Sequence, residues 1–145
     1  MKINQLSVFL ENKPGQLSEP CRALADAGVN ILTLSLADTD QFGIMRLIIR
    51  DWEKAKDVLG KAGCVVKVTE VVAIEVEDHP GGLADVLEVI ETGGINIEYM
   101  YAFTFRRKDK AVLVFRFEDP DAAVKLLQSK KISVIDSVEL YDRAE

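Results

Sequence analysis

Asn12-Lys13-Pro14-Gly15-Gln16-Leu17 returns later in the chain as Asp78-His79-Pro80-Gly81-Gly82-Leu83, and Gly28-Val29-Asn30-Ile31 returns as Gly94-Ile95-Asn96-Ile97, both at an offset of 66 residues. One offset shared by two separate motifs means that a unit of about half the chain occurs twice. The division it predicts is 1–70 and 71–145. Units of that size bury little of their surface when alone, so each would gain core by packing against the other.

The periodicity around each loop gives the elements. Leu6, Val8 and Leu10 alternate with Ser7 and Phe9, which predicts a strand with one face in a core. Pro14-Gly15 breaks it; Leu17, Cys21, Leu24 and Ala25 then fall at helical spacing until Gly28. Residues 30–37 and 44–50 read as strands on either side of a polar turn that holds Asp38 and Asp40. Trp52, Ala55, Val58, Leu59 and Ala62 mark a second helix, and 64–69 a fourth strand. The second copy repeats the order: a strand over 72–77, then a helix carrying Leu83, Val86, Leu87 and Ile90. Strands over 96–105 and 111–117 follow, around the basic run Arg106-Arg107-Lys108 with Lys110. A helix opens at Asp119-Pro120-Asp121, and a closing strand is expected over 132–141. The expected fold class is α+β: two ferredoxin-like βαββαβ lobes with antiparallel sheets and helices on one face.

Composition narrows the function. A net charge of −6 opposes a surface that tracks nucleic-acid phosphates, and the short basic run reads as a solvated hairpin tip. No apolar run is long enough to span a bilayer, and no secretory pattern opens the chain, so a cytoplasmic protein is expected. Cys21 and Cys64 are expected to be reduced, buried and small apolar in character. With one histidine and no Cys-Xaa-Xaa-Cys or comparable cluster, neither a catalytic pair nor a metal site nor a cofactor motif is visible.

Two repeated features carry polar information. A Pro-Gly turn ahead of a helix lets a ligand approach the backbone and leaves helix N–H groups pointing outward, which suits a small carboxylate. Asn30 and Asn96, each expected at the start of the lobe's second strand, offer a donor and an acceptor to a zwitterion. The bland alternative is that both motifs merely start and stop a helix. The residues alone leave both readings open.

The pattern Asn-Xaa-Pro-Gly-Xaa-Leu, a helix, then Gly-Val-Asn-Ile resembles the ACT domain, a ferredoxin-like module that binds amino acids and regulates metabolic enzymes. The resemblance covers both lobes and implies a stand-alone tandem ACT protein, non-catalytic, with a free amino acid as effector. Effectors of that family sit at an interface between modules, held by the first loop and the second-strand Asn. Carried over, this implicates Asn12, Pro14, Gly15, Gln16, Leu17, Asn30 and Ile31 in the first lobe, and Asp78, His79, Pro80, Gly81, Gly82, Leu83, Asn96 and Ile97 in the second. Asp78 in place of Asn12 favours an ammonium, so unequal sites are expected, with the first loop the better carboxylate holder. His79 in place of Lys13 reads as a solvated turn residue able to titrate near neutral pH.

ACT modules often pair through the edges of their second strands. In the order 4-1-3-2 that pairing puts the ends of the connection roughly 29 Å apart. No Gly or Pro linker separates the lobes here. Either 64–77 is one long strand shared or exchanged between lobes, or the pairing joins two chains; a homodimer is expected. The rival function is a protein-binding regulatory subunit of a separate metabolic enzyme, with Tyr99, Met100, Tyr101 and Phe103 as interface aromatics and a vestigial ligand site.

Overall fold

β1 (Ile3–Glu11) is the strand on which the first half is built, in a computed structural model that describes residues 1–107 and 109–144. Contacts divide the chain into a first unit, Asn4–Thr69, and a second, Met1–Ile3 with Glu70–Glu145. The first unit continues with α1 (Ser18–Asp26), β2 (Thr33–Asp38), β3 (Phe42–Ile48), α2 (Trp52–Lys61) and the opening residues of β4 (Val65–Glu77). Its strands lie in the order β2-β3-β1-β4. β3 runs antiparallel to both neighbours, with Leu6 opposite Leu47 and Val8 opposite Met45. These side chains meet Leu24 of α1 and Leu59 of α2 in one buried cluster. Each fully buried Leu there contributes about 1.5–3 kcal/mol.

The second unit takes β4 onward to Glu77 and adds α3 (Gly82–Thr92), β5 (Ile97–Arg107), β6 (Lys110–Phe117), α4 (Pro120–Ser129), β7 (Val134–Ile135) and α5 (Ser137–Ala144). Its order is β7-β4-β6-β5. Ile74, Val76, Ile90, Phe115, Phe117 and Leu127 fill its core, with the Phe115 and Phe117 rings stacked at 5.5 Å. The α+β, ferredoxin-like architecture expected from the repeat is therefore present in each unit. Of the two readings of 64–77, the structure has the unbroken strand: β4 is 13 residues long and crosses the division between units.

The repeat is visible in individual hydrogen bonds. α1 ends with Gly28 N–H donating to Ala25 O and Val29 N–H to Leu24 O; α3 ends with Gly94 to Glu91 and Ile95 to Ile90. Both are left-handed glycine stops in which the second residue drops onto the core. The second helices stop the same way, with Gly63 to Gly60 and Cys64 to Leu59 matched by Lys131 to Gln128 and Ile132 to Leu127. There the offset is 68, so two residues were gained between the two stops; the β5–β6 ladder, between them, slips register near Ile97–Tyr99 and Ala102–Arg106.

Three expectations are corrected. The closing strand over 132–141 shrinks to the two residues of β7, because Asp136 starts α5 instead: its Oδ1 accepts from Glu139 N–H at 2.8 Å and its carbonyl from Leu140 N–H. Asn30 does not begin β2. The helix stop pulls Val29 inward, Asn30 and Ile31 carry the chain back to the sheet, and pairing opens only where Leu32 N–H donates to Ile48 O. Asn96, by contrast, stands directly before β5 and its carbonyl already accepts from Glu118 N–H, so it opens the pairing as expected. Cys21 and Cys64 are free thiols but only half-buried. The Asp119-Pro120 helix start holds, with Asp119 Oδ1 accepting from Ala122 N–H. Lys108 of the basic run lies outside the described residues, whereas Lys110 is ion-paired with Glu77.

Candidate functional site

Both Pro-Gly loops adopt one geometry. In the first unit Gln16 N–H donates to Lys13 O and Glu19 N–H to Gly15 O; in the second, Gly82 donates to His79 O and Asp85 to Gly81 O. Gly15 and Gly81 hold φ near +90°, which a side chain would strain. Asn12 is tied to the β2–β3 turn by its N–H, bonded to Gln41 O at 2.8 Å, and more loosely by its amide to Thr39 O. Lys13 pairs with Glu11 at 3.0 Å in solvent. His79 is exposed, and its Nδ1 lies 2.9 Å from Pro80 O, a bond that uses the ring on its own backbone.

Beside the first loop lies a cavity of about 620 Å³, within the size range of small-molecule sites. The end of β1, the β2–β3 turn, the start of α1 and the α2–β4 connection supply its walls. Phe9, Phe42, Ile44 and Val65 make it apolar, while Gln16, Thr39 and Cys64 add polar atoms. Phe42 and Val65 keep 59% and 67% of their surface in solvent, an exposure that leaves two large apolar side chains on the rim available to a ligand. Three carboxylates, Glu11, Glu19 and Asp38, also line it. Glu19 leans back toward the loop, where its Oε1 lies 3.8 Å from the point a Cβ on Gly15 would occupy. Burial, and then the Glu19 charge, push the Cys64 thiol above its ordinary range, which keeps it protonated.

Of the residues predicted in the first unit, Gln16 lines this cavity; Asn12, Pro14, Gly15 and Leu17 do not. Asn30 and Ile31 stand at the other end of α1, whose nine residues at 1.5 Å each separate them from the loop by roughly 13 Å. Within a unit the two motifs are therefore not neighbours. α3 separates Asn96 and Ile97 from the loop of Asp78, His79, Pro80, Gly81 and Leu83 in the same way. The second loop differs at its first helical residue. A Cβ added to Gly82 would lie 1.9 Å from Glu77 O, so α3 rests directly on the end of β4 where the first unit accommodates Gln16. Met100 packs on the second unit's core and Phe103 is buried, so these two read as sandwich residues.

Glu19, Asp38, Phe42 and Cys64 were not legible as a site, since Asp38 reads as a turn solvator and Cys64 as core. One signal was available: acids recur at the 66-residue offset as Glu11 and Glu77 and as Glu19 and Asp85. Among the described residues no group of His, Cys, Asp and Glu is arranged to hold a metal ion, and no helix is long and apolar enough to cross a membrane.

The comparisons with known proteins agree on the architecture. A family model described as an ACT domain pair matches residues 1–144. A crystal structure of a protein from Bacteroides thetaiotaomicron is 38% identical, covers 97% of this chain and 96% of its own, and superposes with a TM-score of 0.90. The ligand-free regulatory subunit of aspartate kinase from Thermus thermophilus superposes with a TM-score of 0.61 at 16% identity, over 87% of this chain and 91% of its own. Its counterpart from Thermus flavus gives 0.59 at 15%, over 87% and 90%. At those identities the two subunits speak for the fold. No curated protein matches the sequence.

Proposed function

This chain belongs to the family of ACT domain pairs, and from that membership we propose that it is a non-catalytic sensor that binds a free amino acid and regulates amino-acid metabolism. The observation that carries this reading is the cavity beside the first Pro-Gly loop: a concave, largely apolar space with a few convergent polar groups. The second loop lacks the equivalent room beneath Gly82, so one effector per chain is expected at the first unit. Half-buried, unpaired thiols suit a reducing, cytoplasmic setting. A thermal-shift screen of the protein against the twenty amino acids at millimolar concentration tests the proposal. A concentration-dependent rise in Tm with one or two of them supports it; no rise with any of them overturns it.

A second reading, a subunit that regulates a separate metabolic enzyme by contact, is favoured by the edge of β2. Leu34 and Leu36 each leave 47% of their surface exposed there, on a strand that pairs with β3 alone among the described residues. Such an edge also suits a second copy of this chain, and a homodimer is the assembly we expect. Sedimentation of the wild type beside Leu34→Lys decides: a dimer that becomes a monomer assigns the edge to self-association, and a wild-type monomer leaves it to a partner enzyme. The resemblance of the fold to regulatory subunits of aspartate kinase is what makes an enzyme partner the natural candidate.

A further inference from the structure

The charge of the cavity goes further than its size. Three carboxylates line it, and its lining contains no lysine, arginine or histidine. Glu11 is neutralised by Lys13, while Glu19 and Asp38 form no ion pair among the described residues. They come from different elements: Glu19 stands in the first turn of α1 and Asp38 at the end of β2. Phe9, Phe42 and Ile44 give the same lining its aromatic and aliphatic surface. A carboxylate entering this space meets the unpaired charge of Glu19 and Asp38, whereas an amino group meets two acceptors carried by different elements of a largely apolar lining. The helix dipole at the start of α1 would draw an anion there, but Glu19 already places a carboxylate in that first turn, close to Gly15.

We propose that the first unit's cavity selects a net-cationic amino acid, one whose apolar side chain ends in a second amino or guanidinium group, over neutral and acidic amino acids. The inference rests on the sensor reading and names the ligand class for that same site. The apolar stem lies along Phe9 and Phe42, and the two cationic groups answer Glu19 and Asp38. It reverses the expectation from the bare loop that this site is the better holder of a carboxylate.

Isothermal titration of the whole chain with lysine, norleucine, glutamate and cadaverine tests it. Lysine and norleucine share a stem and differ in the terminal amino group; cadaverine keeps both amino groups and lacks the carboxylate. Lysine binding at least about tenfold more tightly than norleucine, with glutamate weaker still, is the expected result. Glu19→Gln and Asp38→Asn should each shrink the lysine-to-norleucine ratio toward one. Both side chains are exposed, so unliganded melting curves of these variants should stay within a few degrees of the wild type, the small loss in Glu19→Gln being that of a first-turn acid, and separate lost selectivity from lost fold. Norleucine binding as well as lysine overturns the charge selection and leaves the sensor reading standing. Cadaverine binding while none of the amino acids does overturns the sensor reading and keeps the selection for cations. Binding of none of the four overturns the proposal.

Discussion

The two units began as one pattern and differ most where they begin their first helix. Gln16 and Gly82 are equivalent positions on equivalent loops, closed by equivalent hydrogen bonds. In the first unit the helix start stands off the sheet, and a side chain and a cavity occupy the gap. In the second the glycine backbone lies against Glu77 O and no side chain fits. A single residue type at one repeated position thus separates a helix start that carries a side chain beside a cavity from one that rests on the strand backbone. The comparison teaches that repetition of a motif and repetition of a site are different things. The Pro-Gly turn and its hydrogen bonds occur in both units, whereas room for a side chain at the first helical turn occurs at Gln16 and not at Gly82.

Four measurements put this contrast at risk. The largest effect is expected from Gly82→Gln, which imports the first unit's residue into the second. The clash with Glu77 backbone cannot relax by a rotamer change, so a loss of about 3 kcal/mol or more is expected in urea unfolding. The reciprocal Gln16→Gly removes a half-buried side chain at a cavity edge and should cost about 1 kcal/mol or less. Equal losses in the pair would remove the basis of the asymmetry.

Next comes α5, which follows the fourth strand in the second unit alone. Asp136→Ala deletes its cap and should lower stability by about 1 kcal/mol, with loss of helical circular dichroism in proportion to one short helix. A smaller effect of opposite sign is expected at Lys131, where a lysine holds φ at +59° in the place Gly63 takes in the first unit. Lys131→Gly should raise stability by roughly 0.5–1 kcal/mol, and a loss would mean that its side chain is engaged elsewhere.

The smallest effect is a pH dependence. The Lys110 ammonium, hydrogen-bonded to Glu77, holds that carboxyl below its ordinary 4.5. Because the folded value is the depressed one, the stabilisation is present above the unfolded value and is lost as pH falls through the folded value. Lys110→Met should therefore melt below the wild type at neutral pH, converge with it in acid, and show a difference that shrinks in salt because the pair is exposed. A difference that grows on acidification would contradict the assignment.

How much of this was legible in the sequence depends on the range of the interactions involved. The four helix stops are local, each set by one residue after a periodic stripe, and three of them announce themselves as Gly28, Gly63 and Gly94. The fourth was hidden because Lys131 stands where glycine is expected. The start of α5 was also local, since Asp136 and Glu139 have the spacing of a capping box. Its signal is masked by Ile132, Val134 and Ile135, whose β-branched side chains favour a strand directly before it. The cavity was out of reach for a different reason. Phe9, Gln16, Phe42 and Cys64 are brought together by strand order and by the height at which α1 sits, and neither leaves a mark on sequence spacing.

β4 also ties the fate of the two units together. Tandem modules are ordinarily separable, because a protease or a gene truncation finds a loop between them. Here residues 65–77 are one strand without Gly or Pro, and Val71, Val72, Ala73 and Ile74 at its middle are fully buried. A cut at the division between units would leave each half with a torn strand and an uncovered row of backbone donors and acceptors, the usual template for aggregation. A gene carrying half of the pair should therefore encode an unstable fragment rather than a smaller folded unit.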